Sequence, residues 1–273
     1  GRGRKGCVML SDKVPIYLAD LTHTGPVLSS NVHPLAAGLI GAQLLESLPD
    51  LVEVELFKYP QDLSVAVSRR TPRIVGFSNY SWNCNISYEY ALRLKRKFPG
   101  TVIVFGGPNY GVEHEEMLQF WQRYPLIDFY VVKEGELAMV ELVRTMDRFN
   151  YDAAALKSAG VRSPNCHYWW NGEPVVGELL PRIKDLGQLP SPYLVGLMDK
   201  FFDQVLSPMI HTTRGCPFLC TFCTEGAEYY SKVAQRVDLL AEIEYIARRV
   251  GSVPDLYLSD ANGSVIALDK TSG

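Results

Sequence analysis

Cys216-Pro217-Phe218-Leu219-Cys220-Thr221-Phe222-Cys223 is a C-x3-C-x2-C run. Thiolates so closely spaced on one loop can each bind one iron of a cubane 4Fe-4S cluster, leaving the fourth iron without a protein ligand and open to substrate chemistry. Structural zinc would require four tetrahedral ligands, usually drawn from two separated cysteine pairs. His211 is the nearest further donor, but it sits inside the preceding strand, and no second CxxC pair exists. A redox dithiol would need only two of the three thiols. The spacing therefore favours a cluster on Cys216, Cys220 and Cys223, and the apolar Pro217, Phe218, Leu219 and Phe222 would shield it from water. The other cysteines, Cys7, Cys84 and Cys166, are scattered and read as structural or incidental.

Such a loop needs a scaffold. From Val14 to about Phe149, short apolar runs alternate with amphipathic stretches. The expected strands are Val14–Leu21, Val52–Tyr59, Arg73–Tyr80, Thr101–Gly106 and Asp128–Lys133, and the expected helices are Pro34–Leu48, Asp62–Arg69, Ser87–Phe98, Glu113–Tyr124 and Glu136–Phe149. Continuous Val/Ile/Leu/Phe strands between helices indicate a parallel sheet covered on both faces. The reading is an α/β fold: a five-stranded, doubly wound, flavodoxin-like (Rossmann-like) sheet over 13–155, with its ligand crevice at the carboxyl ends of the strands.

Those ends are small, polar or glycine-containing. After the first strand come Thr22, His23, Thr24, Gly25, Ser29 and Ser30; after the third, Ser78, Asn79 and Tyr80; after the fourth, Gly106, Gly107 and Pro108; after the fifth, Glu134, Gly135 and Glu136. Backbone amides and small side chains at one sheet edge let a nucleotide-like cofactor approach closely. The plainer alternative is that the glycines only turn the chain.

Residues 156–206 read as a hairpin and linker. Asn171-Gly172 falls at the two-residue turn position between aromatic and β-branched flanks, and Pro190 and Pro192 punctuate the linker. From 207 a strand at Met209–Thr213, a helix at about Arg236–Val250 and a strand at Asp255–Ser259 form the βαβ opening of a parallel barrel, of which only the start is present. Residues 1–12 read as a tail.

The chain of 273 residues holds 27 Lys+Arg against 30 Asp+Glu, a net charge of -3, with 47% hydrophobic residues. That balance argues against an electrostatic grip on nucleic acid or an anionic membrane. No apolar run nears the roughly 18 residues of a membrane span. Small-molecule chemistry in a reducing cytoplasm is the expectation, with thiols free for metal.

HTTRGCPFLCTFC resembles the signature loop of radical S-adenosylmethionine (radical SAM) enzymes. The upstream domain resembles the cobalamin-binding domain fused to one branch of that family. The likeness runs from about Val14 to Asn262 and includes LADLTHTG, VFGGPNYG, the EGE before a helix, LPSPYLVGLMDKFFD and CTEGAEYYSKV. It implies that Cys216, Cys220 and Cys223 bind the cluster and that S-adenosylmethionine chelates the open iron. Reductive cleavage would then yield a 5'-deoxyadenosyl radical. It places Phe222 near the adenine and makes cobalamin the second cofactor at the strand ends, with methyl transfer to an unactivated carbon as one outcome. A flavodoxin or ferredoxin would supply electrons, and the substrate would be a small molecule or biosynthetic intermediate. A catalytically silent cofactor-binding module and a zinc-stabilised interaction protein remain the alternatives.

Two departures from the pattern stand out. Histidine-ligated cobalamin domains carry D-x-H-x-x-G, whereas this chain has Asp20-Leu21-Thr22-His23-Thr24-Gly25 and, further on, Asn31-Val32-His33. Neither fits, so bound cobalamin is expected to lack a protein histidine; His33 before Pro34 reads as a capping or surface residue, and His23 as a loop residue. LYLSDAN resembles the second barrel strand, with Asp260 and Asn262 on the cofactor side. GSVIALDKTSG instead resembles one strand pair of a quinoprotein-type propeller repeat, for which chance similarity or a truncated or shifted reading frame is the expected account.

Overall fold

The computed structural model describes residues 13–25, 28–223, 228–236 and 238–261. The expected tail with Cys7, and Asn262 with the propeller-like run, lie outside these residues.

Five strands, β1 (Val14–Ala19), β2 (Val52–Phe57), β3 (Ile74–Ser78), β4 (Val102–Gly106) and β5 (Phe129–Val131), alternate with five helices. The helices are α1 (Leu35–Ser47), α2 (Pro60–Arg69), α3 (Cys84–Lys97), α4 (His114–Arg123) and α5 (Gly135–Arg148). A short α6 (Ala153–Ser158), capped by the Asp152 carboxylate on the Ala155 amide, leads to the hairpin β6 (Cys166–Trp170) and β7 (Glu173–Val176). The sheet order is β2-β1-β3-β4-β5-β6-β7. β1 to β5 are parallel as expected, and the order reverses between β1 and β3, where an open α/β sheet leaves its crevice.

Strand residues alternate faces, and the two cores show it. Ile16, Leu18 and Val104 pack on one face with α1 and α5 residues such as Leu39, Met139 and Leu142. Tyr17, Ala19, Ile103 and Phe105 pack on the other with Leu63, Ala91 and Trp121 of α2, α3 and α4. Every central strand is therefore apolar on both sides, which is why it reads as an uninterrupted hydrophobic run.

The hairpin does not stand apart as a connector. β6 pairs antiparallel with β5 through Tyr130↔His167 and Val131↔Cys166 and extends the sheet to seven strands. The proline-punctuated stretch is also packed rather than free. Tyr193, Met198, Phe201 and Leu206 are buried in the α1/α5 core, each burial worth about 1.5–3 kcal/mol. That cover explains why α1, LAAGLIGAQLLES, is apolar nearly all round.

Beyond it, β8 (Met209–Ile210) and β11 (Tyr257–Leu258) are parallel and flank α7 (Leu240–Ala247), the expected βαβ opening. The strand expected at Met209–Thr213 breaks after Ile210. Thr213 and Arg214 instead form β9, antiparallel to β10 (Ala234–Gln235), and this ribbon brackets the cysteine loop.

Candidate functional site

A cleft of about 760 Å³ opens at the carboxyl ends of β1, β3, β4 and β5, with residues of β8, β9 and the turn after β11 on its far side. Of the residues singled out from sequence, Ser30, Ser78, Tyr80, Gly106, Gly107, Glu134 and Gly135 line it. Thr22, Ser29 and Asn79 do not. Thr22 is buried and its hydroxyl lies 3.1 Å from Ser29 Oγ while accepting the Ser30 amide, so this pair shapes the β1 loop. Asn79 is buried behind the wall, donating through Nδ2 to Tyr130 Oη and to the Asn109 carbonyl, both at 3.0 Å.

Gly107 is a point where the wall is closely packed against backbone. Its φ is +134°, and a β-carbon there would fall 2.6 Å from the Asn79 carbonyl oxygen. Only glycine accepts both the backbone angle and the contact.

The floor holds a buried charge pair that sequence reasoning missed. Lys58, directly after β2, has a side chain with 0% exposure and donates to Asp20 Oδ2 at 2.7 Å and to Ser30 Oγ at 3.1 Å. Asp20 Oδ1 accepts from Ser78 Oγ and Asn83 Nδ2. Asp20, Ser30 and Ser78 face the cleft, so the network fixes polar side chains under any ligand. The available signal was a lysine closing the otherwise strand-like VEVELF at a carboxyl end.

The histidines divide sharply. His23 is exposed and off the cleft. His33 is not a surface residue: it is 1% exposed, lines the cleft and packs edge-on against Phe202 with ring centroids 4.9 Å apart. Its Nδ1 lies 3.3 Å from the Tyr193 hydroxyl, while Nε2 has no partner among the described residues. Burial pushes its pKa down to about 4, so the ring is neutral at physiological pH.

The cysteine loop is tied to the cleft at its base. Arg214 Nη2 and Nη1 donate to Glu136 Oε1 and Oε2 at 2.6 and 3.2 Å, and Nη1 lies 3.5 Å from Glu134 Oε1. Burial alone would raise the Glu136 carboxyl, but the facing Arg214 guanidinium holds it below its usual value. Arg182 donates to the Tyr229, Lys232 and Arg214 carbonyls and approaches Glu134 at 3.6 Å, gathering both ends of the loop. Gly215, at φ +104°, passes where a β-carbon would sit 2.6 Å from the Tyr230 carbonyl oxygen. From the other side Asp260 Oδ1 accepts the Thr212 and Thr213 amides at 2.7 and 3.1 Å.

Beyond this base the loop is open. Cys216 is half-buried, Cys220 and Cys223 are exposed, and Phe222 is 91% exposed and away from the cleft. Phe218 and Leu219 are exposed as well, so the expected shielding is absent among the described residues. No three His, Cys, Asp or Glu side chains among the described residues are gathered into a ligand set. The donor chemistry nonetheless suits a cluster: three thiols on one short loop whose two ends are clamped. The cleft suits a large cofactor, since glycine and small polar residues form its wall.

Residues 25–143 match the B12 binding domain family. The chain is 31% identical over 211 residues to the cobalamin-dependent radical SAM methyltransferase TokK of Streptomyces tokunonensis, covering 72% of this chain and 28% of that protein. It is 30% identical over 253 residues to the 2-(S-pantetheinyl)-carbapenam-3-carboxylate methyltransferase of Streptantibioticus cattleyicolor, covering 86% and 35%. The chain thus spans about a third of the length of these relatives. In fold it is similar to the cobalamin-dependent S-adenosylmethionine radical enzyme OxsB with aqua-cobalamin and S-adenosylmethionine bound, at a TM-score of 0.65, 19% identity and 92% and 34% coverage. It is likewise similar to the radical S-adenosylmethionine methyltransferase TsrM of Kitasatospora setae with cobalamin and a 4Fe-4S cluster bound, at a TM-score of 0.67, 16% identity and 95% and 51% coverage. With a switch-point cleft inside a match to the B12 binding domain and a C-x3-C-x2-C loop tied to its rim, the chain is similar to the cobalamin-binding-domain radical SAM family.

Proposed function

We propose that this chain is the cofactor-bearing part of a cobalamin-dependent radical SAM enzyme, most readily a methyltransferase. The observation that carries the reading is the Glu136–Arg214 bridge, which fixes the base of the cysteine loop to the rim of the cofactor cleft. Two cofactors that must cooperate would be held on one rigid frame.

In this reading Cys216, Cys220 and Cys223 hold a 4Fe-4S cluster and the cleft holds cobalamin. When bound, the cluster with S-adenosylmethionine supplies radical chemistry and cobalamin supplies a transferable methyl group. The protein's own part is placement. Glu136, Arg182 and Asp260 fix the strand and ribbon before and after the loop, while Asp20, Lys58 and Ser78 fix the polar floor. His33 keeps a neutral ring at the wall and meets the Tyr193 hydroxyl through Nδ1. The relatives named as methyltransferases support the reaction class. A small-molecule substrate, a flavodoxin or ferredoxin as electron donor, and a cytoplasmic setting complete the proposal. No helix among the described residues is long and apolar enough to cross a membrane.

Anaerobic reconstitution with iron and sulfide tests it. The expected result is broad absorbance near ~400 nm with about four irons per chain, lost on Cys216→Ala, Cys220→Ala or Cys223→Ala. Failure of wild type to load iron defeats the cluster assignment, and a firmly held zinc in its place would support the interaction-protein reading. A second reading, a cofactor-binding module without turnover, is favoured by one observation: the cleft is well formed while Cys220 and Cys223 are exposed. Release of 5'-deoxyadenosine from S-adenosylmethionine separates the two.

A further inference from the structure

The turn between β5 and α5 belongs to the cleft wall and to the frame of the cysteine loop at once. Lys133 and Glu134 both line the cleft. Both also reach the chain on either side of the cysteine run 216–223. Glu134 is 7% exposed; its Oε2 accepts the Ile183 amide at 2.8 Å and its backbone carbonyl accepts Asn165 Nδ2 at 3.3 Å, so its position is fixed. Its Oε1 faces two guanidinium groups, 3.5 Å from Arg214 Nη1 and 3.6 Å from Arg182 Nε. Arg214 precedes the run, and Arg182 donates to the Tyr229 and Lys232 carbonyls that follow it. Lys133, at φ +63°, places Nζ 5.4 Å from the ring centres of both Tyr229 and Tyr230. The Tyr230 carbonyl in turn accepts the Cys216 amide at 3.0 Å. Direct contacts therefore connect the cleft wall with the first cysteine.

These contacts are of a kind that water weakens. The Glu134 pairs are longer than charge-assisted hydrogen bonds of about 2.7–2.9 Å, and Oε1 has no hydrogen-bond partner among the described residues. Their attraction is through space and grows as the local dielectric falls. A cation over a tyrosine ring is likewise held more firmly where water is excluded. Lys133 is half-exposed at the wall, so a ligand covering it would dry its contact with the two rings.

We propose that Lys133 and Glu134 are positioning residues for the cysteine loop, and that an occupant of the cleft tightens their hold on it. Coupling between binding sites is reciprocal, so a loaded cysteine loop should tighten binding in the cleft by the same factor. This rests on the functional reading above and adds to it a link between the two cofactor sites.

Hydrogen–deuterium exchange on the full, cluster-free chain tests it. Methylcobalamin is the probe, because its cobalt already carries a carbon ligand and is a poor target for the loop thiols. Amides of residues 214–216 and 228–232 should exchange about fivefold more slowly when the probe is saturating. Glu134→Gln keeps the size and the acceptor for the Ile183 amide but removes the charge facing both arginines, and Lys133→Gln removes the cation from the two rings. Each, saturated with the probe, should lose most of the slowing, whereas Lys133→Arg should keep it. Exchange of α3 equal to wild type shows that a variant is folded, and Lys133→Gln, at a half-exposed position, carries the test if Glu134→Gln unfolds. Equal slowing in wild type and both glutamine variants overturns the positioning role. Wild type that binds methylcobalamin with no slowing at the loop overturns the proposal and leaves the functional reading standing, whereas wild type that binds none overturns both.

Discussion

Arg214 and Glu136, 78 residues apart in sequence, share a two-pronged ion pair at 2.6 and 3.2 Å that joins the first turn of α5 to the strand leading into the cysteine loop. Their side chains are 19% and 5% exposed, so the pair works in a poorly solvated setting. In such a place the loss of Glu136 leaves the Arg214 charge with only Glu134, at 3.5 Å, to meet it. Glu136→Ala should therefore lower the unfolding free energy by about 3–5 kcal/mol, and Glu136→Ala with Arg214→Met together should recover much of it. Urea denaturation of the three variants reads this directly; a single-variant loss below ~0.5 kcal/mol, the scatter of a neutral surface change, would show the pair to be idle.

The same logic applies to the floor of the cleft. Lys58 has no exposed side-chain surface and meets Asp20 at 2.7 Å. Lys58→Met removes the cation and leaves the Asp20 carboxylate with only Ser78 and Asn83 as donors. A loss of about 3 kcal/mol is expected, and Asp20→Asn added to Lys58→Met should return at least ~1 kcal/mol by removing the stranded charge. A double variant less stable than Lys58→Met alone would refute this account.

The range of each interaction decides whether it is legible in the sequence. β1 and β3 to β5 announce themselves because each is apolar on both faces, and α2 to α5 because each carries its own stripe. The cysteine spacing and the glycines at strand ends are equally local. His33 looks like a surface residue in sequence because its burial depends on Tyr193, 160 residues away, and on Phe202. Lys58 looks like an ordinary strand-end lysine, since nothing near it in sequence reveals Asp20. The hairpin's turn is legible in Asn171-Gly172, but its docking onto β5 is a matter of sheet edge and not of turn chemistry.

Gly107 offers a test of the wall itself. A methyl group there would meet the Asn79 carbonyl at 2.6 Å in a backbone conformation that alanine avoids. Gly107→Ala should cost about 1–3 kcal/mol in stability, and it should weaken aquacobalamin binding as the wall shifts into the cleft. Stability and cobalamin affinity both equal to wild type would mean that the wall yields without consequence.

Three buried histidines give the chain a characteristic acid response. Burial pushes His33 and His167 down to about 4, and burial together with Arg214 does the same for His211. The unfolded chain binds protons on these rings near the ordinary value of about 6.5, and the native state refuses them until about 4. Above about 6.5 both states are neutral and stability is unaffected. As the pH falls from there toward 4, the unfolded state gains protons that the native state cannot match, and stability drops by up to about 1.4 kcal/mol per pH unit for each ring. The urea midpoint should therefore fall steadily between about pH 6.5 and 4.5. The His167 ring hydrogen-bonds the Tyr110 hydroxyl, at 3.1 Å, so His167→Gln keeps a hydrogen-bonding group while deleting the titration. That variant should start less stable at neutral pH and lose stability more slowly on acidification; parallel pH profiles for the two proteins would show that His167 takes up its proton in the folded state.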